Sequence, residues 1–98
     1  MHRKSFTGGY VFRLWGKCIK DSRLVRDTVI TDIDYSKSRT QMVLDAVTGL
    51  CRAFDLAEPI WLNKNIADFQ VHAKTRFNQD NFIEPLDFDY LEIQVIEE

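Results

Sequence analysis

Two segments rich in β-branched and aromatic residues flank the dipeptide Asp21-Ser22, and this arrangement predicts a β-hairpin. Folding residues 10–20 back onto residues 23–33 about that turn places apolar side chains on one face. A slip of one residue would move every side chain to the other face, so the pattern specifies the register. The predicted apolar pairs are Cys18 with Val25, Leu14 with Val29, and Tyr10 with Ile33.

The charge of the chain is unevenly distributed along its length. Residues 1–40 carry nine Lys/Arg and four Asp, whereas residues 77–98 carry seven acidic residues and no basic one. Such a distribution is typical either of a half that faces nucleic acid or of oppositely charged strands that lie side by side. We favour adjacent strands, because the predicted hairpin places Lys17 opposite Arg26 and the acidic last strand would neutralise that pair.

A helix is predicted after the hairpin. Ser38 and Gln41 have the spacing of a capping box, and the helix is expected to end near Leu56, shortly before Pro59. Asn63 is a suitable N-cap for a second, brief helix. The apolar stripe of the first helix consists of Val43, Ala46, Val47, Leu50, Cys51 and Phe54.

Two further strands complete the predicted fold. Residues 71–77 alternate in a way that is typical of a strand but also compatible with continuation of the helix, and residues 88–97 alternate clearly. The chain is therefore predicted to be an α+β protein, ββα(α)ββ, in which about four antiparallel strands carry the main helix on one sheet face. Residues 10–98 are predicted to form a single domain, and residues 1–9 a disordered tail.

The sheet face opposite the helix is predicted to carry Trp15, Ile30, Tyr90 and Ile96 among charged residues. Such a face is too apolar to be left open to solvent. Two coverings agree with the sequence: a second copy or another partner, or the chain's own segment 59–62.

The sequence lacks the motifs that carry common kinds of catalysis. It has no glycine-rich phosphate-binding loop, and neither Cys18 nor Cys51 lies in a C-x-x-C pair. We therefore predict two buried, reduced cysteines, no catalytic residue, no cofactor and no metal site. A small metal-dependent hydrolase is kept as a second alternative, because paired carboxylates can hold a hard cation. The residues available to it are His72, Asp87, Asp89 and Glu92.

The segment 72–81 is the densest group of functional side chains in the sequence, and it is the candidate binding surface, although we favour a structural role for these residues. In the competing structural interpretation, Arg76 pairs with Asp80 or Asp87 and the asparagines bond to the backbone of a turn. The predicted binding residues are His72, Lys74, Arg76, Gln79, Asp80 and Asn81, together with Trp15 and Tyr90 of the second sheet face.

Several segments of the second half of the chain carry a resemblance to known sequences: 59–65, 74–77, 79–84 and 87–98, with Phe69 and His72 between them. On these segments the chain resembles a family of small uncharacterised bacterial proteins. The resemblance covers most of the chain from Tyr10 onward and is most specific after Pro59. It implies a bacterial cytoplasmic protein and transfers no catalytic residue, because the family has no assigned activity.

Three function classes follow from these observations. We favour a small non-enzymatic interaction module that self-associates or binds a protein partner. The alternative is a nucleic-acid-binding protein with a basic sheet face, and the metal-dependent hydrolase is the third. The absence of a long apolar segment and of a secretory signal predicts a cytoplasmic protein without membrane contact. The basic face would use Arg13, Lys17, Arg26, Lys74 and Arg76.

Overall fold

The computed structural model describes residues 11–98, which form one four-stranded antiparallel sheet and two helices. The strand order across the sheet is β2-β1-β4-β3, which confirms the predicted α+β fold. Residues 1–9 and Tyr10, for which a tail and a pairing with Ile33 were predicted, lie outside the described residues. The elements are β1 (Phe12–Lys20), β2 (Arg23–Asp32), α1 (Arg39–Phe54), α2 (Asn63–His72), β3 (Lys74–Asn78), a single 3₁₀ turn (Gln79–Asn81) and β4 (Tyr90–Glu97).

The hairpin turn forms where the sequence predicts it, but the register of the two strands beyond the turn differs from the prediction. Asp21 and Ser22 both have left-handed φ, 52° and 65°, as a two-residue turn of type I′ requires. The register shifts by one residue between Cys18 and Ile19, so that Val25 forms a β-bulge. The predicted pairs of Cys18 with Val25 and of Leu14 with Val29 are therefore wrong. The observed partners are Arg26 for Cys18, Ile30 for Leu14 and Val29 for Trp15.

Because of the bulge, the side chains of β2 that were predicted on one face of the sheet lie on the other face. Ile30, predicted on the second face, instead packs against the core beneath α1. Lys17 faces Asp27 rather than Arg26, so the predicted like-charge pair does not exist. On its other side β1 pairs with β4, where Lys17 Nζ lies 2.8 Å from a carboxylate oxygen of Glu92. The prediction that basic and acidic strands lie side by side is thus confirmed.

Helix α1 covers one face of the sheet and closes the core. The Ser38 hydroxyl caps its first turn by accepting a hydrogen bond from the Gln41 amide at 3.1 Å. Gly16 allows the helix to approach β1, because a Cβ there would lie 2.6 Å from Leu50 Cδ2. The core includes the whole predicted stripe of α1: Val43, Ala46, Val47, Leu50, Cys51 and Phe54.

The second half of the chain departs from prediction at its element boundaries. Helix α2 continues through His72, and Ala73, with a left-handed φ of 53°, ends it, so the strand expected over 71–77 is β3 from Lys74. The segment 59–62 does not cover the second sheet face. Its Trp61 packs on the helix side, edge-on against Phe77 with ring centroids 5.0 Å apart.

Candidate functional site

The sheet face opposite α1, here called the open face, carries a row of alternating charges that crosses all four strands. The strand registers place Asp27 of β2, Lys17 of β1, Glu92 of β4 and Arg76 of β3 side by side. Opposite charges in directly facing positions stabilise a sheet, whereas like charges destabilise it. We call these four residues the charge row.

Glu92 lies at the centre of the charge row and is almost completely buried, with 7 % of its surface exposed. Its two carboxylate oxygens contact different cations: Lys17 Nζ at 2.8 Å and Arg76 Nε at 2.9 Å. Burial alone would raise the pKa of the Glu92 carboxyl, but the hydrogen bonds and charges of Lys17 and Arg76 outweigh it and hold that pKa below its usual value. Glu92 is therefore ionised at neutral pH.

The charge row also orients two aromatic side chains of the open face, Trp15 and Tyr90. Trp15 Nε1 donates a hydrogen bond to a carboxylate oxygen of Asp27 at 2.8 Å, and Lys17 Nζ lies 4.1 Å from the Trp15 ring centre. The guanidinium carbon of Arg76 lies 4.6 Å from the ring centre of Tyr90. Each ring thus contacts a cation of the row at cation–π distance, which restricts its orientation.

A groove of about 460 Å³ runs between α2 and the β3 side of the open face, and we call it the basic groove. Three of its side chains, Lys64, His72 and Lys74, have no ion pair or hydrogen bond with another residue in the range 11–98. The groove is lined by Lys64, Asp68, His72, Lys74, Thr75, Arg76, Asn78, Tyr90 and Glu92.

The structure brings together four of the eight predicted binding residues. His72, Lys74, Arg76 and Tyr90 line the basic groove, and Trp15 lies on the same open face, with Gln94 of β4 between it and Lys74. Because neighbouring strands are about 4.8 Å apart, Trp15 is within reach of a ligand that extends beyond the groove.

Gln79, Asp80 and Asn81 do not line the basic groove. The side chains of Gln79 and Asn81 instead form hydrogen bonds within the fold. The Gln79 side chain donates to the Glu84 carbonyl at 2.8 Å and accepts from the Leu86 amide at 2.7 Å. The Asn81 side chain is completely buried. Asp80 is exposed on the 3₁₀ turn, and Arg76 pairs with neither Asp80 nor Asp87, so that predicted ion pair is wrong.

Asn65 is a buried residue that the sequence analysis missed. Its Oδ1 accepts from the Leu62 amide at 3.1 Å and from Asn81 Nδ2 at 2.8 Å. Its Nδ2 donates to Thr75 Oγ1 at 3.0 Å and to the Arg76 carbonyl at 2.9 Å. These bonds fix α2 to β3 and so define the shape of the groove.

The carboxylates proposed for a metal-dependent hydrolase each contact a different partner. Asp89 accepts from the Asp21 amide at 2.9 Å, Asp87 lies 3.9 Å from Arg26, and Glu92 belongs to the charge row. Across residues 11–98, no three His, Cys, Asp or Glu side chains come together in a group that could hold a metal ion.

Both cysteines are buried free thiols. Burial raises the pKa of the Cys51 thiol to about 11 and also raises that of Cys18. A protonated, buried thiol is a poor nucleophile and a poor metal ligand. This agrees with the predicted structural role of the two residues.

Comparison with known proteins adds no relative: no family model, no curated protein and no solved structure matches the chain. None of the helices in the described part of the chain is long and apolar enough to cross a membrane.

Proposed function

We propose that the protein is a non-enzymatic interaction module that binds an acidic segment of a partner protein along the basic groove and the adjoining open face. The observation that carries this proposal is the grouping of Lys64, His72 and Lys74 beside the oriented ring of Tyr90. These three side chains have no ion pair or hydrogen bond with another residue in the range 11–98.

The partner is proposed to be a protein because the open face has the side chains that dominate protein interfaces. Trp, Tyr and Arg are enriched among residues that contribute most to protein–protein binding energy. Here Trp15, Tyr90 and Arg76 are already oriented by the charge row. A prearranged surface loses less conformational freedom on binding, which favours affinity.

The bound segment is proposed to be acidic because the groove retains unpaired positive charge. Arg76 is compensated by Glu92 within the charge row, whereas Lys64 and Lys74 have no partner of their own among residues 11–98. Asp68 is the only other acidic residue that lines this part of the described surface. Carboxylates of a partner would complete the ion pairs and steer its approach.

Nucleic acid is the less favoured ligand because the predicted basic face is largely neutralised. Arg13 pairs with Glu97, and Lys17 pairs with Glu92. Arg26 lies on the opposite side of the sheet, where its guanidinium carbon is 5.3 Å from the Phe54 ring centre. Of the five residues of the predicted basic face, Lys74 alone has no ion pair among residues 11–98, and one free cation is too few to contact successive phosphates.

We also propose a cytoplasmic location for this module. Its two cysteines are free and buried, and its core is closed without a disulfide. A small domain in an oxidising compartment is usually stabilised by disulfides, whereas thiols persist in the cytoplasm.

The proposal can be tested by selecting random displayed peptides against the full chain and measuring the selected peptides by fluorescence anisotropy. We expect selected sequences with net negative charge and at least one apolar or aromatic residue. Lys74→Glu should weaken their binding about tenfold, because it removes one exposed ion pair and adds a repulsion. Arg52→Glu, the same change in charge on the exposed side of α1, is the matched control and should bind as the unmodified protein does.

Several results would contradict this proposal. Selected peptides without negative charge, or peptides whose affinity is equal for Lys74→Glu and Arg52→Glu, would exclude the basic groove as the site. Tighter binding of an oligonucleotide than of the acidic peptides, lost in Lys74→Glu, would establish nucleic acid as the ligand instead.

A further inference from the structure

The two edges of the sheet differ in how their backbone groups are satisfied. At the β3 edge, α2 runs alongside the strand and two buried asparagines bond to the outward backbone. Asn65 Nδ2 donates to the Arg76 carbonyl at 2.9 Å, and the Asn78 amide donates to Asn81 Oδ1 at 3.0 Å. The β3 edge is therefore closed to an added strand.

The β2 edge lacks such protection. Within residues 11–98, the backbone of Arg23–Asp32 forms hydrogen bonds only with its hairpin partner, β1. The strand has ten residues and contains neither proline nor glycine. Three of its apolar residues are 40–56 % exposed: Leu24, Val25 and Val29. The bulge at Val25 interrupts this edge locally, but a long edge strand with exposed apolar residues still offers unpaired backbone groups to another strand.

The charges of β2 indicate which strand fits this edge. The first half of the strand carries Arg23 and Arg26, and the second half carries Asp27 and Asp32. Within residues 11–98, Asp32 pairs with Lys37 and Arg26 lies 3.9 Å from Asp87, whereas Arg23 has no ion pair. A second β2 in antiparallel orientation would bring each basic half beside an acidic half. A parallel second copy would bring like charges together, which is unfavourable.

We infer that β2 pairs with β2 of a second copy in antiparallel orientation, so that two chains form one continuous sheet of eight strands. Two antiparallel strands of one sheet are related by a twofold axis perpendicular to that sheet. Both open faces, and with them both basic grooves, therefore lie on the same side of the dimer. This pairing leaves Lys74 and Tyr90 accessible, because they lie at the β3 side of the sheet, and so it does not depend on the proposed function.

The dimer can be tested by sedimentation of the full chain over a concentration range of about 1 µM to 1 mM, which covers the affinities of small interfaces. We expect the mass to rise to twice that of the monomer. Hydrogen exchange at high concentration should slow in residues 24–31 and stay unchanged in residues 74–78.

Two variants and a control locate the interface. Val29→Lys places a charge near the proposed twofold axis and should weaken the dimer at least tenfold, whereas Val71→Lys, on the exposed side of α2, should leave it unchanged. Arg23→Asp, at an exposed position, should weaken the dimer several-fold even if Val29→Lys fails to fold, because it places an acidic residue towards the acidic half of the partner strand.

A monomer throughout the concentration range would overturn the inference. It would also be overturned by a dimer that shows no additional protection in residues 24–31, or by an Arg23→Asp variant that associates as tightly as the unmodified protein. None of these results depends on acidic peptides, so failure of the dimer and failure of the basic groove are distinguishable.

Discussion

The charge row makes a quantitative prediction for the replacement Glu92→Gln, which keeps the size of the side chain and removes its charge. Lys17 and Glu92 are both mostly buried, and removing one partner of a buried ion pair costs about 3–5 kcal/mol. The side chain of Arg76 is 63 % exposed, so its ion pair contributes at most about 1 kcal/mol. Glutamine keeps one acceptor oxygen, and Lys17 keeps its contact with the Trp15 ring. We therefore expect a loss of about 2 kcal/mol at pH 7, between those limits.

The same replacement predicts a pH dependence with a defined sign. The pKa of Glu92 is lower in the folded protein than its ordinary value of 4.5, which applies to the unfolded chain. The ionised carboxylate therefore stabilises the fold fully at pH values above 4.5. This contribution is lost as the pH falls through the lowered pKa of the folded protein. The difference between the unmodified protein and Glu92→Gln should shrink towards zero in acid.

Urea and thermal unfolding at neutral and acidic pH measure both quantities. A loss of about 2 kcal/mol corresponds to a decrease in Tm of about 10 °C for a domain of this size. Glu84→Gln, which changes an exposed carboxylate, is the matched control and should be nearly neutral. A loss below about 0.5 kcal/mol, the usual range for surface substitutions, would refute the reasoning, and so would a loss that does not change with pH.

Three further replacements or treatments test the packing. Asn65→Ala leaves several buried groups without partners and should cost about 3 kcal/mol or more in urea unfolding, whereas Asn63→Ala, at an exposed position of the same helix, should cost less than about 1 kcal/mol. Gly16→Ala should lower the Tm because its Cβ would overlap Leu50, at a cost of about 1–3 kcal/mol; an unchanged Tm would show that α1 can shift outward. The raised pKa of Cys51, about 11, predicts that a thiol reagent reacts slowly with the native protein at pH 7 and rapidly once it is unfolded; equal rates would contradict the burial.

The elements of this fold could be predicted because their signals are local. The turn residues Asp21 and Ser22 and the capping hydroxyl of Ser38 each act on backbone groups within four residues. The apolar stripe of α1 likewise requires only helical periodicity. Boundaries were less accurate at α2, where Ala73 ends the helix in a left-handed conformation that an alanine does not signal.

The face assignment of β2 was not predictable from alternation alone. A bulge adds one residue to one strand, and the alternation on either side of it remains intact. The pattern around Val25 is therefore the same with or without the bulge, and only the position of α1 decides which face is buried. Ile30 packs near Gly49, where a Cβ would lie 3.2 Å from Ile30 Cδ1. This contact joins residues that are distant in the sequence, so local alternation does not reveal it.

The buried asparagines were missed for a related reason. A local interpretation of the segment makes Asn63 the N-cap, yet Asn65 bonds to residues 10 to 16 positions away. Buried amides have no periodic signal of their own, and asparagine is found mostly at exposed positions such as turns. Their role becomes visible only when α2 and β3 are placed side by side.

The uneven charge of the sequence has two different explanations once the strand order is known. Part of it is neutralised within the sheet, since β1 lies beside β4, where Lys17 pairs with Glu92 and Arg13 pairs with Glu97. Neutralisation of that kind stabilises the fold and requires no ligand. Among residues 11–98, five cations have no ion pair: Lys20, Arg23, Arg52, Lys64 and Lys74. Lys64 and Lys74 differ from the other three because they line the same groove. A cation that the fold leaves unpaired beside an oriented aromatic ring is available to a partner. The groove, and not the total charge of the chain, is therefore the feature that favours binding of an acidic partner.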